Sequence, residues 1–179
     1  MTHDQARDAA TRYNALAQRA GWHSFCSVAV TFESEALNDL HAIWKALAGN
    51  SIPARKSLTP QTLRAHLADV AIYERTEALD GNSRWRIRVM GDHMSAVLGN
   101  FNGKFFDEVV TPEFLPRWRA SPDIALEARV PLRFISRSET SGKAYLTGEY
   151  LMAPLIGDDG GLNTVLSGAA FGPTLTPQL

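Results

Sequence analysis

Hydrophobic residues recur along this chain with two periods, and the switches between them mark its elements. From Thr2 to Ala20, the residues Ala6, Ala9, Tyr13, Leu16 and Ala20 fall at steps of three and four. That spacing puts them on one helical face, and Gly21 supplies a stop. The stripe is mostly alanine and buries little area alone, so it is expected to pack on a second chain or on the outer face of a sheet. Trp22 to Phe32 is β-branched and aromatic but short, and reads equally as a connecting strand or an extended arm. Ser34 can cap a second helix, whose stripe is Leu37, Leu40, Trp44 and Leu47, widened by Ile43 and ended by Gly49. Pro53 and Pro60 forbid regular continuation. Thr59 and Pro60 open a short helix carrying Leu63 and Leu67.

The period then changes to two. Val70 to Glu74 and Arg84 to Met90 read as a hairpin across the turn Asp80-Gly81-Asn82. Within the second strand Trp85, Ile87 and Val89 share one face and Arg84, Arg86 and Arg88 the other. Helical signals return: Asp92 caps a short helix with Met94, Val97 and Leu98, closed by Gly99. Phe105, Phe106, Val109 and Val110 form another short apolar stretch. Thr111–Pro112 and Ser121–Pro122 are each a cap followed by a first-turn proline, the second leading into Ile124 and Leu126. The last third is strand-like. Val130, Leu132 and Phe134 alternate, Lys143 to Met152 is a long strand, Asp158 to Gly161 a turn, and Leu162 to Phe171 the final strand.

Composition narrows the class. A length of 179 residues suits one domain, and a chain of this size buries roughly 70% of its unfolded surface without a metal or disulfide. Eighteen basic against 19 acidic residues leave a net charge of −1, so no bulk positive field draws it to nucleic acid. A single cysteine, Cys26, cannot form an internal disulfide and fits a reducing compartment. No secretory signal and no run of ~18 apolar residues is visible. The expectation is a cytoplasmic protein that binds neither nucleic acid nor membrane.

Two strands, several short helices and three further strands is the element order of the PAS fold. Three stretches carry the resemblance: Leu40–Trp44–Leu47–Gly49 with Pro53–Ala54–Arg55 and Leu58–Pro60–Leu63–Leu67; then Arg84 to Gly91; then Leu98-Gly99-Asn100-Phe101-Asn102-Gly103-Lys104-Phe105-Phe106-Asp107-Glu108. Together they resemble one bacterial PAS family, found mainly in alphaproteobacteria and often as stand-alone proteins. The resemblance runs from about Leu40 to Phe171. It implies an α+β fold with a five-stranded antiparallel sheet in the order 2-1-5-4-3, helices on one face, and N-terminal helices preceding it. The resulting division is an N-terminal helix and extended arm over 1–34, the PAS domain with its leading helix over 35–174, and a tail over 175–179. The family implies a sensory or protein-interaction module without a catalytic centre, and the span of its match leaves no room for an output domain.

The residues offer little chemistry. Asp107–Glu108 and Asp158–Asp159 are adjacent pairs that do not face one site and read as solvated acids. His3, His23, His41, His66 and His93 show no metal-ligand spacing. His93 follows the second strand and enters the helices expected to line a pocket. It reads as a polar residue in a helix's first turn, or as an axial ligand if haem is bound. Cys26 lies before the core and outside any light-sensing motif, and reads as a small buried thiol. No nucleophile elbow or phosphate loop is present, and the protein is not expected to be an enzyme.

Trp85, Ile87, Met94, Leu98, Phe105, Phe106, Leu132 and Phe134 either line an internal pocket or fill a core, with packing expected of large aromatics. Arg84, Arg86 and Arg88 on one strand and Arg129, Arg133 and Arg137 on another would form separate stripes on opposite sheet edges, either blunting those edges or docking a partner. Together with Tyr13 and Leu16 on the first helix, Arg84, Arg86 and Arg88 are the candidate partner surface. The expected function is signal transduction through protein partners, with a homodimer as one form, gated by a small ligand. The alternative is a sensor that holds haem, flavin or an acyl molecule. No cofactor is specified.

Overall fold

A computed structural model describes residues 3–76, 83–137 and 146–172 of the chain. Its helices are α1 (His3–Ala20), α2 (Glu35–Ala48), α3 (Pro60–Leu63), α4 (Asp92–Leu98), α5 (Phe106–Val109) and α6 (Leu115–Ala128). Its strands are β1 (Ser24–Ser27), β2 (Val70–Thr76), β3 (Arg84–Met90), β4 (Leu132–Arg137), β5 (Thr147–Ile156) and β6 (Leu162–Gly172). The strands form one antiparallel sheet in the order β1-β4-β5-β6-β2-β3. Five of them follow the expected order. The sixth, β1, comes from the expected arm and pairs with β4, Cys26 opposite Phe134. Residues 1–34 therefore contribute to the sheet itself, and β4 is not an edge. The expected turn at Asp80 to Asn82, the start of the strand at Lys143 and the 175–179 tail lie outside the described residues. No helix among the described residues is long and apolar enough to cross a membrane.

Helices cover both faces of the sheet, not one. Because side chains alternate along a strand, β5 and β6 feed two cores. Met152, Val165 and Ala169 point toward the layer holding α1 and α4 to α6. Leu151, Ala153, Leu155 and Leu166 point the other way, onto α2. Ser34 caps α2 by accepting from the Leu37 amide, and Leu37, Leu40 and Trp44 are its buried face. Gly168 on β6 lets that helix sit close, since a Cβ there would stand 2.8 Å from Leu40 and 2.9 Å from Leu37.

The alanine stripe of α1 finds its surface inside the chain, against α6 and β1, contrary to the expectation of a second chain or the outer face. Ala6, Ala9, Ala10 and Ala17 are buried, and Tyr13 is 1% exposed. Tyr13 is thus a core residue and no partner surface, while Leu16 beside it stays 37% exposed. α6 also departs from expectation. Ser121 and Pro122 sit inside one 14-residue helix and start no second one. Pro122 removes a backbone donor, but it is buried with Ala125, Leu126 and Ala128, and that packing outweighs the local preference.

Both sheet edges are closed by the chain. Asn14 donates to the Cys26 carbonyl and accepts from the Cys26 amide, each at 2.8 Å. On the far edge, Asn102 does the same for Met90 at 3.2 and 2.7 Å, and the Ile87 amide donates to Lys104. Strand β3 carries one irregularity. Ile72 pairs with Val89 and Tyr73 with Ile87, so Arg88 is an extra residue. The bulge turns Met90, not Val89, into the core, and Val89 is 49% exposed.

Candidate ligand-binding site

Between α5, α6 and the inner face of the sheet lies a cavity of about 410 Å³. That volume falls in the usual range for small-molecule sites, ~300–1,000 Å³. The eight apolar candidates divide between this cavity and packed core. Of the eight candidates, Leu98, Phe106 and Phe134 line the cavity. Trp85, Ile87, Met94 and Leu132 are fully buried in packed core and do not line it. Trp85 is anchored by its indole N–H, which donates to Asp123 at 3.2 Å; burial raises the pKa of that Asp123 carboxyl. Phe105 faces away, beneath the Arg84 guanidinium 3.6 Å from its ring centre.

The lining has two poles. One is aromatic: Phe106 meets Trp118 edge to face at 5.3 Å and Tyr73 at 5.1 Å, with Leu98 and Phe101 beside them. The other is polar. Ser24 and Ser136 face each other across the β1–β4 pair, and both reach the cavity with Ser121, Arg117 and Arg137. Arg117 and Ser121 stand one turn apart on α6, a spacing that shares a helix face. Tyr13 closes this pole from behind, its hydroxyl 2.7 Å from Ser24 Oγ and 3.3 Å from Ser121 Oγ. Burial pushes the Tyr13 hydroxyl pKa up, against the two serines and the Arg117 charge. Tyr73 is pushed up to about 12 by burial, with Ser167 opposing. Gly148 makes room for a further lining residue, since a Cβ there would collide with the Tyr150 ring.

Arg117 is 8% exposed and, with Glu149, one of two buried charged residues among those described. Splitting α6 at Ser121–Pro122 hides it. Read as one helix, Arg117, Ser121, Ala125 and Ala128 recur at steps of three and four, which places one arginine on the inward face. Ser136 continues the Leu132–Phe134 alternation on β4, whereas Ser24 gives no comparable signal, because β1 has only four residues.

His93 does not enter the cavity. Its side chain is 72% exposed, and Nδ1 lies 2.9 Å from Asp69. His93 is therefore not placed to serve as the expected axial ligand of a haem in this cavity. Cys26 is buried in β1 and outside the lining. The arginine rows also change meaning. Arg84 binds Asp107, Arg88 binds Glu74 and lies near Asp158, and Arg86 donates to Gly103. Arg133 is drawn inward to the fully buried Glu149, Nε to carboxylate 2.7 Å. Arg129 caps α6 in the left-handed region, and Arg137 reaches the cavity, so no second stripe forms.

Comparison with known proteins gives the chain a family. A family model described as a PAS domain matches residues 32–169. No curated protein matches the chain. A solved structure of an RNA-binding light-oxygen-voltage receptor is similar at 13% identity with a TM-score of 0.46, covering 83% of this chain and 38% of that one.

Proposed function

The chain belongs to the PAS domain family, and we propose that it is a cytoplasmic sensory module of bacterial signal transduction. It holds a small ligand in the cavity and passes on its occupancy by contact with a protein partner, without catalysis. The cavity carries this reading. Neighbouring inner-face positions pack without exposure, yet about 410 Å³ stays open between α5, α6 and the sheet. A concavity of this size, mostly apolar with a few convergent polar groups, is the usual form of a small-molecule site.

Mass spectrometry of a denatured extract, with a thermal-shift screen of small molecules, tests the reading. Val110→Trp, at a half-buried lining position, should fill the cavity, with its circular dichroism checked against the wild-type protein. Compounds that raise the melting temperature of the wild-type protein should not raise that of Val110→Trp. An empty extract with no compound distinguishing the two proteins overturns the reading. For the partner, co-purification is compared between the wild-type protein and a variant with Arg84, Arg86 and Arg88 replaced by Gln. Unchanged recovery of every partner removes that strand from the docking surface.

A further inference from the structure

We infer that the ligand of this cavity is an uncharged aromatic molecule carrying a hydrogen-bond donor, as a phenol or an indole does, with the donor at Ser24 and Ser136 and the ring against Phe106 and Trp118. The inference rests on the cavity being a ligand site and names the ligand's chemistry. A count of hydroxyl protons carries it. Ser121 donates to the Arg117 carbonyl one turn back, at 3.2 Å. A serine hydroxyl has one proton, so Ser121 can only accept from the Tyr13 hydroxyl at 3.3 Å. Tyr13 then has no proton left for Ser24, 2.7 Å away, and Ser24 donates to it. Three protons make these three bonds in that one direction only. On the facing strand, Ser136 donates to the His23 carbonyl at 3.4 Å.

Each of these hydroxyls therefore directs its proton into the chain, and what remains for a ligand is acceptor capacity. Ser24 and Ser136 both line the cavity and stand opposite each other across β1 and β4. Among the described residues their oxygens accept from no group, and their spacing lets one donor reach either oxygen. Arg117 and Tyr150 are engaged within the chain, and the Tyr73 hydroxyl lies by Ser167. Thr111, Glu113 and Arg137 also line the cavity but are exposed, and water serves them at its rim. An anion would thus give up its hydration without an unengaged buried cation to replace it. A neutral donor instead completes the serine oxygens. The remaining walls select the ring. Phe106 meets Trp118 edge to face at 5.3 Å, and Phe101, Phe114 and Phe134 add further rings. Such faces and edges favour an aromatic guest over an alkyl chain of equal area.

Calorimetric titration of the full-length protein tests this with two matched pairs: 4-propylphenol against 4-propylanisole, and indole against 1-methylindole. At least one donor compound should bind about fivefold or more tightly than its methylated partner, the scale of one net hydrogen bond. Replacing Ser24 and Ser136 together by Ala should remove that preference by weakening the donor compound and sparing the methylated one. The wild-type comparison needs no variant, so a misfolded double variant leaves the test standing. Equal affinity within both pairs overturns the donor assignment and leaves the cavity a ligand site. Tighter binding of 4-propylbenzoate than of 4-propylphenol overturns the uncharged assignment, as does a co-purified molecule that is charged or lacks a ring. Binding of none of the five, with no small molecule in the denatured extract, overturns both the inference and the ligand site.

Discussion

A Cβ on Gly91 would collide with the carbonyl oxygens of Leu67 and Ala68, because the corner between β3 and α4 crosses that backbone directly. Backbone atoms cannot move aside as a side-chain tip can. Gly91→Ala should therefore cost about 1–3 kcal/mol, the range for overpacking, read as a lower urea midpoint with unchanged slope. Glu149 works differently. Its carboxylate is fully buried and accepts from Arg133 at 2.7 Å and from the Glu33 and Ser34 amides at 3.1 Å. It thereby ties β5 to the start of α2. Glu149→Ala leaves a nearly buried guanidinium and two amides without that partner, and should cost about 3–5 kcal/mol by chemical denaturation. His41 on α2 adds a pH term. Burial, then the Lys45 charge, holds its pKa below the usual 6.5. As pH falls below 6.5 the unfolded chain takes up the proton first, so this contribution to stability is full above 6.5 and declines below it. Urea midpoints from pH 7.5 to 5 should fall less steeply for His41→Gln than for the wild-type protein, and parallel slopes would count against this.

At the scale of elements, legibility followed how fully local pattern and tertiary role agree. Strand β3 is readable to the residue from its alternation, Arg84-Trp85-Arg86-Ile87, because one face is buried and the other wet. Its bulge at Arg88 is not, since an extra residue is set by pairing with β2. The helix over Glu35–Ala48 is equally readable, but its side of the sheet is decided by Gly168 and Leu151 more than a hundred residues away. The cavity was half legible. Its aromatic pole follows from apolar periodicity, whereas its polar pole joins a four-residue strand to a helix running through proline. Helix α1 illustrates the same limit: its stripe was plain and its partner was not. It now appears as the cover of the β1 edge, through Asn14. Losing that side chain removes two hydrogen bonds from Cys26, each worth ~1 kcal/mol, and opens the edge. Burial pushes the Cys26 thiol pKa up and keeps it inert. Ellman's reagent should therefore label native wild-type protein only on unfolding, and native Asn14→Ala faster. Equal labelling rates would mean that α1 covers the edge without Asn14.

The molecule as a whole is two cores sharing one sheet, and that sharing has a measurable consequence. Along β6, Leu166 serves the α2 core, while Val165 and Ala169 serve the cavity side. Along β5, Leu151 and Met152 divide the same way. Neither core can dissolve without releasing strands on which the other depends. Helix α2, although attached outside the helical layer that frames the cavity, should therefore not unfold as an appendage. Leu37→Ala, at a fully buried position over Gly168, should cost about 2–5 kcal/mol. It should also shift loss of helical circular dichroism and exposure of the Cys26 thiol, on the opposite side of the sheet, to lower urea together. Coincidence of the two probes is the mark of a single transition. If Leu37→Ala instead moved the dichroism while Cys26 stayed protected to the wild-type midpoint, α2 would be a separable layer. The Glu149 tie would then not couple α2 to the cavity side, and occupancy could not reach α2 through the sheet.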